Sequence, residues 1–142
     1  MIFPDFLKVY GNTSFRGDCP SERAEQVAAI ALIRARYPKT LGRILIHPRN
    51  EGKRSYGKAY YERAEGMTRG ASDIIIPCAV PFICELKRCD HTKSRWQDGQ
   101  LDYLSACADQ GAFVCVALGA KGVELALDEY MEKWMVTSEK TT

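Results

Sequence analysis

Three ionisable residues in one short stretch of the chain have types and spacing that suit metal-dependent chemistry. Asp73 opens a short apolar run, and a second apolar run ends in Glu85 and Lys87, which are two residues apart. If both runs are β-strands, Glu85 and Lys87 point to the same face of the second strand, and the turn between the strands brings them near Asp73. Charges at the rim of an apolar sheet cost free energy unless they are paired or hold a metal ion.

Two interpretations of this charged group are open at this stage. In the first, the lysine forms an ion pair with a carboxylate at a strand end, and Arg88 completes a solvated cluster. In the second, Asp73 and Glu85 bind Mg²⁺ or Mn²⁺, hard cations that use one or two carboxylates together with a substrate phosphate. The local pattern favours neither interpretation, and the rest of the sequence has to decide between them.

The composition is that of an ordinary globular protein. Of the 142 residues, 46% are hydrophobic and 27% are charged, and we therefore expect one domain. No segment approaches the roughly 18 consecutive apolar residues of a membrane span, and the N-terminal segment lacks the pattern of a signal peptide. We expect a soluble, cytoplasmic protein that does not contact a membrane.

The six cysteines do not form a zinc-binding pattern. None of them belongs to a Cys-x-x-Cys pair, and Cys78, Cys84 and Cys115 lie inside apolar runs, where cysteine behaves as a small hydrophobic residue. Only Cys84 and Cys89 have zinc-like spacing, and the chain has only two histidines. We expect reduced thiols, and catalysis by a histidine-activated nucleophile is poorly supported.

Basic residues flank the charged stretch on both sides. Between positions 49 and 69 there are six Lys or Arg against three Glu, and between positions 87 and 95 there are four against one Asp. A phosphate-binding surface requires such a distribution, although the solvated face of a helix can show it too. The candidate phosphate contacts are Arg49, Lys53, Arg54, Lys58, Arg69, Arg88, Lys93 and Arg95.

The first predicted helix begins after Ser21 and ends before Pro38. Ser21 is a typical N-cap, acidic residues follow it, and apolar residues then recur at helical spacing. Glu22 and Gln26 lie one turn apart on the same face, where Glu22 is either part of the cap or able to reach a metal ion. Residues 1–20 contain several glycines and prolines, and we expect an irregular arm that packs on the domain or on a partner subunit.

The remaining pattern predicts an α/β sandwich around a mixed sheet. The two strands of the charged stretch would form an antiparallel hairpin, and the helix after them would cross over to a strand buried on both faces. The predicted elements are a strand over 41–47, a helix over 53–65, a helix over about 97–109, a strand over 113–118 and a helix over about 121–134, with frayed residues after 136.

These residues together resemble the VRR-NUC branch of the PD-(D/E)XK nuclease superfamily. The order of Glu22, Asp73, Glu85 and Lys87 is similar to the superfamily signature, which is short and common by itself. Further motifs make the resemblance specific and extend it over nearly everything from about Ser21 to Tyr130. They are Ser21-Glu22 with Gln26 and Tyr37-Pro38, Pro48 and Asn50-Glu51-Gly52 with Lys53-Arg54, Glu65-Gly66-Met67 with Gly70, Glu85-Leu86-Lys87-Arg88, and Gln100 with Tyr103-Leu104.

The resemblance implies a fold and a role for each candidate residue. The implied fold is the PD-(D/E)XK restriction-endonuclease-like fold, a mixed central β-sheet flanked by helices, with the nuclease domain over 21–136, an arm over 1–20 and a tail over 137–142. Lys87 would orient the attacking water or help to deprotonate it. The implied ligands of Mg²⁺ or Mn²⁺ are Glu22, Asp73, Glu85 and the backbone carbonyl of Leu86, and the implied positioning residues are Gln26, Asn50 and Gln100.

The function that the resemblance implies is metal-dependent hydrolysis of DNA by an endonuclease. Small free-standing VRR-NUC proteins, often phage-borne and acting in a bacterial host, resemble Holliday junction resolvases, and the expected substrate is therefore a four-way junction. A single domain that resolves a junction needs two sites related by a two-fold axis, so we expect a homodimer, with the arm as a candidate contact. Flap, single-strand, restriction-type or general endonuclease activity, and a non-catalytic DNA-binding module, remain the alternatives.

Overall fold

The computed structural model describes residues 1–48 and 56–134, and a four-stranded mixed sheet lies at its centre. The strands are β1 (Lys8–Tyr10), β2 (Ile74–Ile76), β3 (Phe82–Lys87) and β4 (Phe113–Leu118), and their order in the sheet is β1-β4-β3-β2. The helices are α1 (Glu22–Arg36), α2 (Leu41–Ile44), α3 (Tyr56–Ala64), α4 (Gln100–Asp109) and α5 (Gly119–Trp134), with a 3-10 turn over His91–Lys93.

The direction of the strands confirms the predicted mixed sheet. Strands β2 and β3 form the antiparallel hairpin, in which Ile74 lies opposite Cys84. Strand β4 runs parallel to β3, and α4 is the crossover between them, because parallel neighbours cannot be joined by a tight turn. Every residue of β3 is buried, since this strand has a neighbour on each side and helices cover both faces of the sheet.

The alternation of side chains along β3 separates the two halves of the core. Cys84 and Leu86 point to the face that is covered by α1 and α5. Ile83 points to the opposite face, where it belongs to the cluster around Leu104 of α4. Because successive side chains alternate, Glu85 shares the α4 face, and this is the reason that the charged residues meet α4 rather than α1.

The expectation that residues 1–20 are irregular is wrong for Lys8–Tyr10, which forms β1. This strand pairs in parallel with β4, with Lys8 opposite Cys115, and Leu7 and Tyr10 are buried. A three-residue strand is too short to show a clear alternation, but it covers the hydrogen-bonding edge that β4 would otherwise leave open. The boundary at residue 20 and a dimer contact of the arm stay predictions.

The predicted strand over 41–47 is also wrong for its first half. Residues Leu41–Ile44 form α2, and only Ile46 makes a β-bridge, to Ile75 of β2. The chain turns tightly after α1, with the Gly42 amide donating to the carbonyl of Tyr37 at 2.8 Å. A Cβ atom at Gly42 would lie 2.7 Å from that carbonyl oxygen, so the glycine permits the short helix α2 where the apolar residues alone suggest a strand.

The other helices differ from their predictions at the ends. Helix α1 has the predicted N-cap, since the Ser21 hydroxyl accepts from the amide of Ala24 at 3.1 Å. Helix α4 begins at Gln100, three residues later than expected, because Gly99 takes a left-handed conformation with φ of 85°. Residues 53–55 of the predicted polar helix and the predicted tail lie outside the described residues. No helix in the described part of the chain could cross a membrane.

Strand β1 is tied to α5 by one carboxylate. Lys8 donates to Glu129 at 2.6 Å, the Tyr10 hydroxyl donates to its other oxygen, and the Lys133 ammonium lies 3.3 Å away. The hydrogen bond from Lys8 is the main reason that the pKa of Glu129 lies below its usual range. Glu129 therefore holds an edge strand and a helix together in its charged form.

Replacing Glu129 with Gln should lower the free energy of unfolding by about 1 kcal/mol at pH 7, because hydrogen bonds to a charged acceptor are lost. A carboxyl with a lowered pKa stabilises the fold above its unfolded pKa of ~4.3 and loses that effect as the pH falls. The difference between the two proteins in urea unfolding should therefore shrink below about pH 4. Glu124→Gln is the matched control, because its partner Lys121 lies in the same helix, and an equal loss for both variants would contradict the tie between β1 and α5.

Candidate active site

Asp73 and Glu85 lie side by side where the β2–β3 hairpin opens. Glu85 is 1% exposed, and its Oε2 atom is buried without a hydrogen-bond partner among the described residues. Burial raises the pKa of Glu85 well above its usual range, and the charge of Asp73 raises it further. Two adjacent carboxylates with an unpartnered buried oxygen form a donor set that fits a hard divalent cation, since the cation would supply the missing partner.

The backbone of Leu86 faces the same carboxylates. Its amide donates to Asp73 Oδ2 at 2.8 Å. The N–H and C=O of one residue point to the same side of a strand, so the Leu86 carbonyl is directed towards the side of Asp73. The last paired residue of β3 on this side is Cys84, and Leu86 therefore lies beyond the hydrogen-bonded ladder of the hairpin. Three of the four groups that the resemblance implies as ligands, all except Glu22, thus occupy one corner of the sheet.

Lys87 is buried on the same face and is held by α4. It is 1% exposed, and its ammonium donates to the Arg95 carbonyl at 2.8 Å and to Gln100 Oε1 at 2.9 Å. The Gln100 amide nitrogen donates to Glu85 Oε1 at 3.1 Å, so one side chain joins the acidic and the basic group. The hydrogen bonds of the ammonium in the described part of the chain include no carboxylate, which means that the direct Lys–carboxylate pair is not formed.

Glu22 approaches the site from α1 and stays exposed. Its Oε1 accepts from the Ser94 hydroxyl at 2.8 Å, and its charge contributes to the raised pKa of Glu85, after burial and the charge of Asp73. The described residues nevertheless hold no cluster of three or more His, Cys, Asp or Glu side chains close enough to share a metal ion. The structure therefore brings Asp73 and Glu85 together and leaves Glu22 at the edge of the site.

Two side chains, one from α1 and one from the segment after α2, hold the backbone of Asp73. Gln26 donates to the Asp73 carbonyl at 3.2 Å. His47 Nδ1 donates to the same carbonyl at 2.7 Å. Sequence reasoning missed His47, although the apolar residues before it, which pair with β2 through Ile46, were the signal that places it there. Asn50 lies outside the described residues.

The predicted basic residues divide into separate groups. An open cleft of about 510 Å³ lies beside Glu22, and three of them line it. Part of the Arg88 guanidinium already has a partner within the protein, since it donates to the carbonyl of Cys19 at 2.6 Å. The cleft is lined by Ser21, Glu22, Arg88, Thr92, Lys93, Ser94, Arg95 and Gln97.

The other predicted basic residues lie outside this cleft. Arg69 pairs with Asp98 at 2.8 Å, and Lys58 lies 4.0 Å from Glu62 one turn along α3. Both basic side chains are largely exposed. Three more predicted contacts, Arg49, Lys53 and Arg54, lie outside the described residues.

Ser94 and Trp96 are further residues of the site that sequence reasoning missed. The Ser94 hydroxyl donates to Glu22 and accepts from the Arg88 amide at 3.0 Å, and the Trp96 ring centre lies 5.2 Å from the Lys87 ammonium. Both belong to the polar loop between β3 and α4, whose sequence shows no periodic pattern. The available signal was its position, directly after a strand that ends in functional residues.

Comparison with known proteins identifies the fold. A solved structure described as a VRR_NUC domain protein matches this chain with a TM-score of 0.64 and 21% sequence identity, over 83% of this chain and 92% of that chain. The chain has a VRR-NUC-like fold. No protein-family model and no curated protein matches the sequence. At this identity the likeness establishes the fold, and it confirms the predicted architecture.

The burial of Glu85 beside the charge of Asp73 should destabilise the fold measurably in the absence of a cation. In metal-free buffer at pH 8, Glu85→Gln should raise the midpoint of thermal unfolding by about 2–4 °C, the shift that ~1 kcal/mol produces in a chain of this size. The amide removes a buried charge that Asp73 repels. Because the folded pKa is raised, the carboxyl favours folding at low pH, and this effect is lost as the pH rises through the unfolded value of ~4.3 towards the folded pKa.

Calorimetry in EDTA at pH 4 and pH 8 tests this effect. The advantage of the Gln variant should be small at pH 4, large at pH 8, and reversed when Mg²⁺ is added, because only the carboxylate binds the ion well. Glu65→Gln, at an exposed position after α3, is the control and should match the wild type under all three conditions. A wild type that is more stable than Glu85→Gln in EDTA at pH 8 would contradict the conclusion that the Glu85 charge destabilises the metal-free protein.

Proposed function

We propose that the chain is a Mg²⁺- or Mn²⁺-dependent DNA endonuclease that hydrolyses phosphodiester bonds. The observation that carries the proposal is the buried Glu85 carboxylate, which lies next to Asp73 and is joined through Gln100 to the ammonium of Lys87. The VRR-NUC-like fold supports it. A module that only binds DNA would gain nothing from two acidic groups beside a phosphate, because like charges weaken the contact.

The acidic corner would hold the cation. Asp73, Glu85 and the Leu86 carbonyl are oxygen donors on one side of the hairpin, with Glu22 able to contribute from the edge of the site. A divalent cation in this corner would neutralise charge on the phosphodiester and make a bound water more acidic. Gln26 and His47 keep the Asp73 backbone in place for this purpose.

Lys87 would stabilise the negative charge that grows on the phosphorus centre during attack. An ammonium does this only if it is held near the phosphate, and Lys87 is held by the Arg95 carbonyl and by Gln100. The same lysine would orient the attacking water or help to deprotonate it. Since its partners are neutral oxygens rather than carboxylates, its positive charge stays available for the substrate.

The cleft beside Glu22 would receive the DNA backbone. Arg88, Lys93 and Arg95 line it, and phosphate contacts of this kind supply affinity without reading sequence. The proposed substrate is branched DNA, a four-way junction. Two symmetric cuts need two copies of the site, so the proposed active form is a homodimer.

Asp73→Asn and Lys87→Met should each reduce Mg²⁺-dependent cleavage by about 100-fold or more, while DNA binding in Ca²⁺ is retained. Asparagine keeps an acceptor for the Leu86 amide and removes only the charge, and methionine keeps the length of the buried lysine. Asp102→Asn, on the exposed face of α4, is the control and should cleave normally.

The rates should be measured on labelled DNA in Mg²⁺ and in Mn²⁺, with EDTA as the blank. Undiminished cleavage by the Asp73 variant would remove the proposed metal site. A wild type that binds DNA equally well in EDTA and cleaves nothing in Mn²⁺ is instead a non-catalytic DNA-binding module.

A four-way junction should be cut faster than a linear duplex of the same sequence, and sedimentation should show a dimer at micromolar concentration. The reason for both is the need for two sites related by symmetry. A cleavage panel of junction, flap, single strand and duplex is the direct measurement. Equal rates on junction and duplex indicate a general endonuclease, and a monomer that prefers flaps or single strands contradicts the resolvase assignment.

A further inference from the structure

We propose that Trp96 is a positioning residue for Lys87, and that the N-terminal residues Ile2 and Phe3 hold Trp96 in place. The inference rests on the proposed function, because it assigns part of the chain to the same site. It connects a segment that lies outside the recognised motifs to the buried Lys87 ammonium, which Gln100 joins to Glu85.

The first contact is between the indole ring and the ammonium. The Lys87 Nζ atom lies 5.2 Å from the centre of the Trp96 ring, within the range of a cation–π interaction. A lysine ammonium has three donors, and two are satisfied by the Arg95 carbonyl and by Gln100. The ring gives the remaining side of the ammonium an aromatic partner. The ammonium is therefore held in one place, although Lys87 is buried and has little contact with water.

The second contact fixes the ring itself. Trp96 Nε1 donates to the Ile2 carbonyl at 2.8 Å. The Phe3 ring meets the indole edge-on, with centres 6.3 Å apart and an angle of 81° between the planes. Phe3 also packs edge-on against His91 at 5.1 Å. Rotation of the indole would break the hydrogen bond to Ile2, the edge contact with Phe3 and the contact with the Lys87 ammonium, so Ile2 and Phe3 select one orientation of Trp96.

The neighbours of Trp96 contact the rest of the site. Ser94 donates to Glu22 at 2.8 Å, and the Gln97 amide donates to Gln100 Oε1 at 2.8 Å. Residues 94–97 therefore touch Glu22, Lys87 and Gln100, each from a different position. A displaced Trp96 would move the backbone that carries all of these contacts.

This part of the chain is also anchored from the other side. The Asp90 carboxylate accepts from the amides of Thr92 and Gly17, at 3.1 and 3.0 Å, and from the Thr92 hydroxyl at 2.6 Å. The hydrogen bond from the Thr92 hydroxyl is the main reason that the pKa of Asp90 is lowered to about 2. The N-terminal segment and the connection after β3 are thus joined at both ends, which supports a positioning role over a role as a free DNA contact.

Three variants separate the contacts. Trp96→Phe keeps an aromatic face over Lys87 and removes the hydrogen bond to Ile2, Trp96→Leu removes both, and Phe3→Leu leaves Trp96 intact but takes away its ring contact. Trp134→Leu, at an exposed position near the end of α5, is the matched control. Cleavage kinetics in Mg²⁺ give kcat and KM separately for each protein.

For Trp96→Leu we expect kcat to fall by about 10- to 100-fold, the loss that a small misplacement of a catalytic group produces, while KM changes by less than about twofold. Trp96→Phe and Phe3→Leu should fall between this variant and the wild type, and Trp134→Leu should be unchanged. An unchanged kcat for Trp96→Leu would overturn the proposal. A rise in KM at constant kcat would overturn it too, because Trp96 is then a substrate contact.

A second readout works on the free protein and needs no activity. The ε-methylene protons of Lys87 should show an upfield ring-current shift in the NMR spectrum, lost in Trp96→Leu and changed in Phe3→Leu. An identical shift in the wild type and Phe3→Leu would overturn the role of the N-terminal residues. If Trp96→Leu does not fold, Trp96→Phe and Phe3→Leu decide the test. If the wild type shows the expected upfield shift and cleaves no DNA, the proposed function is refuted, whereas the contact between Trp96 and Lys87 is supported.

Discussion

The burial of two opposite charges on one face of β3 is the constraint on which the site depends. Glu85 and Lys87 are each 1% exposed, because the strand is central in the sheet and α4 covers this face. Burial of a charge is unfavourable unless hydrogen bonds satisfy it, and Gln100 meets this need for both groups at once. The start of α4 and the connection before it must therefore hold their positions if the two charges are to remain inside.

The Lys87 ammonium has hydrogen-bond partners, whereas one oxygen of the Glu85 carboxylate has none among the described residues. Lys87 has two carbonyl-type acceptors and an aromatic ring, whereas one oxygen of Glu85 has no partner among the described residues and Asp73 repels its charge. Local instability of this kind is common where a protein binds a ligand, and the rest of the fold has to offset it. The two apolar clusters on either side of the sheet and the tie between β1 and α5 do so here.

The sequence predicted those parts of the fold and the site that depend on local signals. Ser21 and the acidic residues after it mark the start of α1, and the two apolar runs around a turn predict the hairpin with Asp73, Glu85 and Lys87 at its polar end. Sequence reasoning failed where the signal was short. The three residues of β1 and the four of α2 are decided by which neighbours they meet.

By itself, the sequence determined that two carboxylates and a lysine lie at the end of one hairpin, because strand alternation and spacing are properties of the local chain. Only the tertiary structure decided which side chains satisfy these charges. The resemblance implied Gln100 as a positioning residue, but only the structure shows that it joins Glu85 to Lys87, that Trp96 lies against the Lys87 ammonium and that His47 holds the Asp73 backbone. The unpartnered oxygen of Glu85 is likewise visible only once its surroundings are in place. The physical reason is that hydrogen bonds and burial join residues far apart in the chain, and local periodicity carries no information about such contacts.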